Sequence, residues 1–139
     1  MSAASNYLEQ KILDHVLRYA SAPYTAPTTL YIGLFKNTSG NAATNLEAGT
    51  LTDEVSGGSY ARKTVTFGAA NSTTGVIATN ATVTFDEASA TWGTITHVAI
   101  MDALTSGNVL FWGAVTTSKL IEAGDTFQIT SGSLTITLA

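Results

Sequence analysis

The hydrophobic period changes once along this chain, and that change limits the folds it can adopt. Up to Pro23 the apolar residues recur at helical spacing, which predicts one helix over residues 5–21. After Pro23 they alternate at period two, in short runs separated by turns rich in Gly, Ser and Asn. Helices and strands do not alternate as a parallel βαβ sheet would require. The pattern therefore predicts a mainly β protein with one N-terminal α-helix.

The predicted helix has a capped start and an apolar stripe. Ser5 or Asn6 can cap its N-terminus, and Asn6 with Glu9 has the spacing of a capping box. Pro23 ends the helix. The stripe is wide enough to dock on a sheet or on a neighbouring subunit, and its members are Leu8, Ile12, Leu13, Val16, Leu17 and Ala20.

Roughly seven or eight short strands are predicted after the helix, which fits a sandwich or a barrel. The run "WGTITHVAIMDA" is apolar in both registers, which is typical of a central strand buried on both faces. The runs "GDTFQIT" and "GSLTITL" are predicted to pair as a hairpin around Ser131-Gly132. In the run ending at Phe67, one predicted side holds Ala61, Lys63, Val65 and Phe67, and the opposite side holds Arg62, Thr64 and Thr66.

A long polar segment interrupts the strands. Residues 36–59 show no clear period and are predicted to form a loop. Loops of this length are uncommon in compact domains and are usually functional or mobile. The chain of 139 residues is predicted to be one domain over residues 1–139, large enough to bury a core.

The composition limits the classes of partner. A net charge of −4 and scattered basic residues argue against nucleic acid. Charged residues make up 12%, so the predicted surface is mostly hydroxyl and amide, which suits repeated subunit contacts. The absence of cysteine excludes disulfides and thiol sites. The first residues lack the features of a secretion signal and no run is long and apolar enough to span a bilayer, so we expect a soluble protein made in the cytoplasm, with no membrane partner.

The glycine-rich stretch "DEVSGGSYARKTVTF" is a candidate for a phosphate-binding loop. Such a loop needs a strand, a glycine-rich turn and then a helix whose amides meet the anion. Here Gly57 and Gly58 precede a strand instead. The glycines are therefore predicted to form a turn with positive φ.

No catalytic, cofactor-binding or metal-binding residues are predicted, and we expect the protein not to be an enzyme. The two histidines, His15 and His97, have no nucleophile motif beside them, and the acidic residues fall mainly at turns. Trp92 or Trp112 with Tyr60 could form a sugar-binding platform, although packing in the core or in a subunit contact is the favoured interpretation.

Five segments of the chain occur in an order that resembles a known family of proteins. "NYLEQKILDHVLR", "YTAPTTLYIGLF", "EVSGGSYAR", "WGTITHVAIMDA" and "AGDTF" follow one another as in a family of small tailed-bacteriophage virion proteins, often labelled tail-fibre or minor structural proteins. The chain resembles that family over almost its whole length and departs from it over residues 36–52. The resemblance implies a jelly-roll-like antiparallel β-sandwich with an N-terminal helix and no catalytic or cofactor residues.

The first functional hypothesis is a capsid decoration (cement) protein on the outside of the phage head. The chain lacks the heptads and shaft repeats of a long fibre, so a homotrimer bound to the major capsid protein is expected. A tail, neck or fibre component and a carbohydrate-binding module are the alternatives. The predicted contacts lie on the helix, on the long loop of residues 37–59 and at the residue that follows it: Tyr7, Leu8, Lys11, His15, Asn37, Asn45, Leu46, Leu51 and Tyr60.

Overall fold

The structure is a computed structural model that describes residues 3–18 and 21–138. Over these residues the fold is mainly β, with an N-terminal helix, as the sequence predicts. The elements are β1 (Ala3–Ala4), α1 (Asn6–Leu17), β2 (Leu30–Phe35), α2 (Ala42–Glu47), β3 (Lys63–Val65), β4 (Val76–Ala78), β5 (Val83–Thr84), β6 (Gly93–Met101), β7 (Val109–Ile121), β8 (Gln128–Ile129) and β9 (Thr135–Thr137).

The strands form one large sheet and two short ribbons, all antiparallel. The sheet has the order β1-β7-β6-β2-β3, and the ribbons are β4-β9 and β5-β8. The predicted central strand is β6, which pairs with β7 on one side and β2 on the other.

The two faces of the sheet are covered by different parts of the chain. On the inner face the two ribbons form the second layer of a sandwich-like core. We call the buried residues between these layers the inner cluster, which includes Ile32, Leu34, Val83, Phe85, Trp92, Val98, Ile100, Phe127 and Ile136. On the outer face α2 packs in the outer cluster of Phe35, Leu46, Ala99, Met101 and Val109. Because alternate residues of β6 belong to different clusters, its sequence is apolar in both registers.

Helix α1 begins where the sequence predicts and ends earlier. Ser5 is the N-cap, and the Leu8 amide donates to its hydroxyl oxygen at 3.3 Å. The helix ends at Leu17 and not at Ser21, because Arg18 leaves helical geometry with φ −134°. Residues 19 and 20, including Ala20 of the predicted stripe, lie outside the described residues.

The apolar stripe of α1 does not dock on the sheet as a unit. Leu8 is buried and Ile12 packs at the edge of the inner cluster. Leu13, Val16 and Leu17 are 59%, 69% and 74% exposed. The domain thus uses one side of the helix and leaves the other apolar side uncovered.

The predicted C-terminal hairpin is wrong. Strand β8 pairs with β5 and β9 pairs with β4, so the two strands on either side of the turn belong to different ribbons. The amide of Gly132 in that turn donates to the Thr79 carbonyl at 2.7 Å. Because Thr79 connects β4 to the segment before β5, the turn joins the ribbons and does not close a hairpin.

The long loop is partly helical, which the sequence did not predict. Helix α2 has six residues, and its Ala42 and Leu46 are buried. Its first turn is closed by the Asn37 side chain, which accepts from the Ala42 amide at 2.9 Å. No helix within residues 3–18 and 21–138 has the length and apolar character to cross a membrane.

Candidate functional site

The first half of the long loop is organised around a buried carboxylate. Asp53 is 3% exposed and accepts from the Ser39 amide at 2.9 Å, the Ser39 hydroxyl at 2.5 Å and the Asn45 amide group at 3.1 Å. The Ser39 hydroxyl is the main reason why the pKa of Asp53 lies below its ordinary value. Asn37 and Asn45, both predicted contacts, therefore bond within the loop itself.

The second half of the loop is fixed by a buried ion pair. Arg62 donates through Nε and Nη2 to the two carboxylate oxygens of Glu54, at 2.6 and 2.7 Å. Its Nη1 donates to the carbonyls of Ala103 and Ser106 in the β6–β7 turn, at 2.6 and 2.7 Å. Arg62, which the sequence assigns to the side opposite Val65 and Phe67, is buried, because the carboxylate and the carbonyls replace the water it would otherwise bind.

Tyr60, another predicted contact, belongs to the same network. Its hydroxyl accepts from the Leu34 amide at 2.9 Å and donates to Glu54 at 3.1 Å. Burial, with the nearby Glu54 carboxylate, raises the pKa of Tyr60 far above its ordinary value. The ring packs inside the inner cluster, so Tyr60 supports the loop from within.

The two predicted apolar contacts of the loop also face inward. Leu46 is buried in the outer cluster, and Leu51 packs against that cluster. Glu47, beside Leu46, accepts from the indole N–H of Trp112 at 2.8 Å. The loop is thus a cover for the outer face of the sheet.

The predicted helix contacts lie mostly on the side of α1 that faces the domain. Leu8 is buried, and His15 Nδ1 accepts from the Tyr24 amide at 3.0 Å. The ammonium of Lys11 lies 5.6 Å from the centroid of the Tyr7 ring. The exposed stripe of Leu13, Val16 and Leu17 is on a different side of the helix. The sequence grouped both sides in one stripe, since periodicity alone does not show which part of a wide stripe is covered.

A groove of about 810 Å³ with a mixed polar and apolar lining lies between β7 and the segment carrying β8 and β9. Its lining includes Phe111, Val115, Ile129 and Leu134, each half-buried, with the exposed Lys119 also on its border. Strand β7 bulges here: the pairing passes from Ile95–Lys119 to His97–Ala114, so β6 advances by two residues while β7 advances by five. A bulge of this kind interrupts the sheet edge and opens the space beside it.

The glycine pair forms a turn, as predicted. Gly57 and Gly58 have φ of +74° and +59°, and the Tyr60 amide donates to the Gly57 carbonyl at 3.0 Å. The Gly58 carbonyl accepts from the indole of Trp92 at 2.8 Å. Trp92 is 3% exposed and packs edge-on against Tyr60, so it does not present a face to a sugar.

His97 lies on the outer face of the sheet, half-buried. Its Nδ1 is 2.8 Å from the Thr96 hydroxyl, and its ring centroid is 6.2 Å from that of Trp112. Burial lowers the pKa of His97, and the Asp53 carboxylate partly opposes this shift. Within the described ranges no three His, Asp or Glu residues are grouped so that they could hold a metal ion.

Comparison with known proteins gives one family. The family model described as "Podophage GP4 fiber I protein gp80" matches residues 3–137. A search of curated proteins found no match.

Proposed function

The chain belongs to the family described as podophage GP4 fiber I protein gp80 and is a phage virion structural protein, and we propose that it is a non-catalytic fibre subunit. The observation that carries this proposal is the family match, because it covers residues 3–137 and the family is described as a fibre protein. The subunit would act by contact with copies of itself and with other virion proteins.

The surface of the domain supports a contact role. The polar side chains that could form a chemical site are used internally: Asp53 bonds Ser39 and Asn45, and Glu54 bonds Arg62 and Tyr60. The exposed stripe of α1 is instead apolar, and the groove beside β7 has apolar residues in a mixed lining. Exposed apolar patches on soluble domains commonly mark interaction sites.

A capsid decoration protein is the second candidate. The described chain folds as a short two-layer domain with no repeated shaft, a shape that also suits a homotrimer covering a junction between major capsid subunits. Such a protein stabilises the shell by binding the assembled lattice in preference to free subunits. Both candidates place the protein on the particle exterior.

Labelling of purified virions distinguishes the two candidates. An antibody against the chain should label the tail region only, at low copy number by quantitative mass spectrometry, if the protein is a fibre subunit. An antibody against the major capsid protein, which labels the whole head, is the control. Dense label over the head would replace the fibre proposal with decoration, and absence of the chain from mature particles would contradict both.

A further inference from the structure

Two surfaces of this chain that carry apolar residues have no cover within the described residues. The first is the exposed stripe of α1, in which Leu13, Val16 and Leu17 follow the i, i+3, i+4 spacing of one helix face. The second is the groove beside β7. A helix face with this spacing is the form in which amphipathic helices enter apolar grooves.

The helix cannot fill the groove of its own copy. The Ser5 amide donates to the Leu110 carbonyl at 2.9 Å, and the Ser5 hydroxyl donates to the Val109 carbonyl, so the start of α1 is fixed to β7. The Tyr24 amide holds His15 on the opposite side from the exposed stripe. The stripe is therefore not covered by the described residues and is accessible to another molecule.

We propose that the exposed stripe of α1 in one copy docks into the groove beside β7 of a second copy. The aliphatic side chains of the stripe would contact the apolar part of the groove lining, which includes Phe111, Val115 and Leu134 beside polar residues such as Gln128. The groove volume of about 810 Å³ is near the upper end of the roughly 300–1,000 Å³ usual for pockets, which leaves room for several aliphatic side chains.

The charges at the two surfaces are complementary. Glu9 is exposed and precedes Leu13 by four residues and Val16 by seven, so it lies on the same face of the helix. Lys119 is exposed at the border of the groove. Neither residue forms an ion pair with another described residue. Docking places an acidic residue of the helix near a basic residue of the groove.

This contact is heterologous, because a different surface is used on each copy. Heterologous contacts repeat from subunit to subunit and produce a closed ring or an open array. A pairing of two stripes around a twofold axis would leave the groove empty and would not bring Glu9 to Lys119. The inference deepens the proposed function and rests on it for its biological role, but it concerns the purified chain alone.

Sedimentation velocity and light scattering on the purified protein test the docking. The wild type should associate with increasing concentration. Val16→Asp on the helix and Thr117→Trp on the groove border should each abolish association, since both positions are exposed and both variants should keep the wild-type circular dichroism spectrum. Leu104→Asp, at a 50% exposed leucine in the β6–β7 turn, is the matched control and should associate as the wild type does.

Mixing the two defective variants tests the direction of the contact. Val16→Asp keeps an intact groove and Thr117→Trp keeps an intact helix, so the mixture should form a one-to-one complex that neither variant forms alone. Glu9→Lys and Lys119→Glu should each weaken association about 2- to 5-fold, and the two changes combined in one chain should restore it.

Three results would overturn the inference. These are a wild type that stays monomeric at every concentration, a Val16→Asp variant that associates normally, and a mixture that forms no complex. If the purified chain stays monomeric while Val16→Asp prevents incorporation into virions, another virion protein occupies the stripe. None of these results alters where antibody labels the particle, so failure of the docking and failure of the proposed function are distinguishable.

Discussion

Arg62 and Glu54 connect three segments that are distant along the chain. Glu54 comes from the long loop, Arg62 from the residue before β3, and the two carbonyls from the β6–β7 turn. A buried guanidinium is tolerated only when nearly all its donors are paired. Period-two alternation assigned Arg62 only to the side opposite Val65 and does not show whether a polar residue is buried, whereas burial here depends on partners supplied by the fold.

Removal of Arg62 should strongly destabilise the protein. We expect Arg62→Ala to lower the free energy of unfolding by about 3–5 kcal/mol, because the Glu54 carboxylate, only 16% exposed, is left without its partner. Arg18→Ala, which breaks an exposed 3.0 Å pair with Asp14, should cost less than about 1 kcal/mol. Urea denaturation measures both, and similar losses for the two variants would contradict the structural role given to Arg62.

Two groups with a lowered pKa, His97 and Asp53, should produce two separate losses of stability as the pH falls. Both have a folded-state pKa below the unfolded value, so each stabilises the fold above its unfolded pKa and loses that contribution as the pH drops. The loss from His97 should begin below its ordinary value of 6.5, and that from Asp53 below 3.8.

Variants assign each loss to its residue. Unfolding free energies measured by urea between about pH 3 and pH 8 should show the first loss disappear in His97→Gln and the second in Asp53→Asn. If His97→Gln kept the first loss, another group would have to be responsible for it.

At the scale of elements, short segments are fixed by their neighbours and not by their own patterns. Strands β8 and β9 have two and three residues, and they belong to different ribbons, β8 with β5 and β9 with β4. Helix α2 is held by Asn37 at its start and by Leu46 against the sheet. Neither feature could be predicted from the sequence, because a short polar run has no period and a glycine turn does not determine whether the strands that flank it pair.

The two adjacent glycines should differ in their tolerance of a side chain. At Gly57 an added Cβ meets nothing within 4 Å, so Gly57→Ala should cost roughly 1–2 kcal/mol from positive φ alone. At Gly58 the same atom lies 2.9 Å from both the Ala90 carbonyl and the Trp92 indole nitrogen, which should add about 1–3 kcal/mol. Thermal and urea unfolding of the two variants measure the difference. Equal losses would show that the Gly58 turn yields to the added methyl group.

At the scale of the molecule, β6 joins the two clusters into one structure. Val98 and Ile100 belong to the inner cluster, and Ala99 and Met101 to the outer cluster. Displacement of this strand disrupts both faces at once. We therefore expect the domain to unfold in a single cooperative transition.

The two tryptophans allow that expectation to be tested. Trp92 lies in the inner cluster and Trp112 packs against the outer cluster, and the chain has no other tryptophan. In Trp112→Phe and in Trp92→Phe, the fluorescence and far-UV circular dichroism transitions should coincide within each variant. If the Trp112 signal in Trp92→Phe changed at a lower urea concentration than the circular dichroism, the outer cluster would open independently.

The sequence by itself determined the N-terminal helix, the antiparallel β class, the central position of β6 and the Gly57–Gly58 turn. Each depends on contacts between residues close along the chain or on the spacing of apolar residues within one element. The tertiary structure alone decided the burial of Arg62, the partners of β8 and β9, and which side of α1 remains exposed. Those outcomes depend on atoms brought together from distant segments, so local polarity and spacing do not contain them.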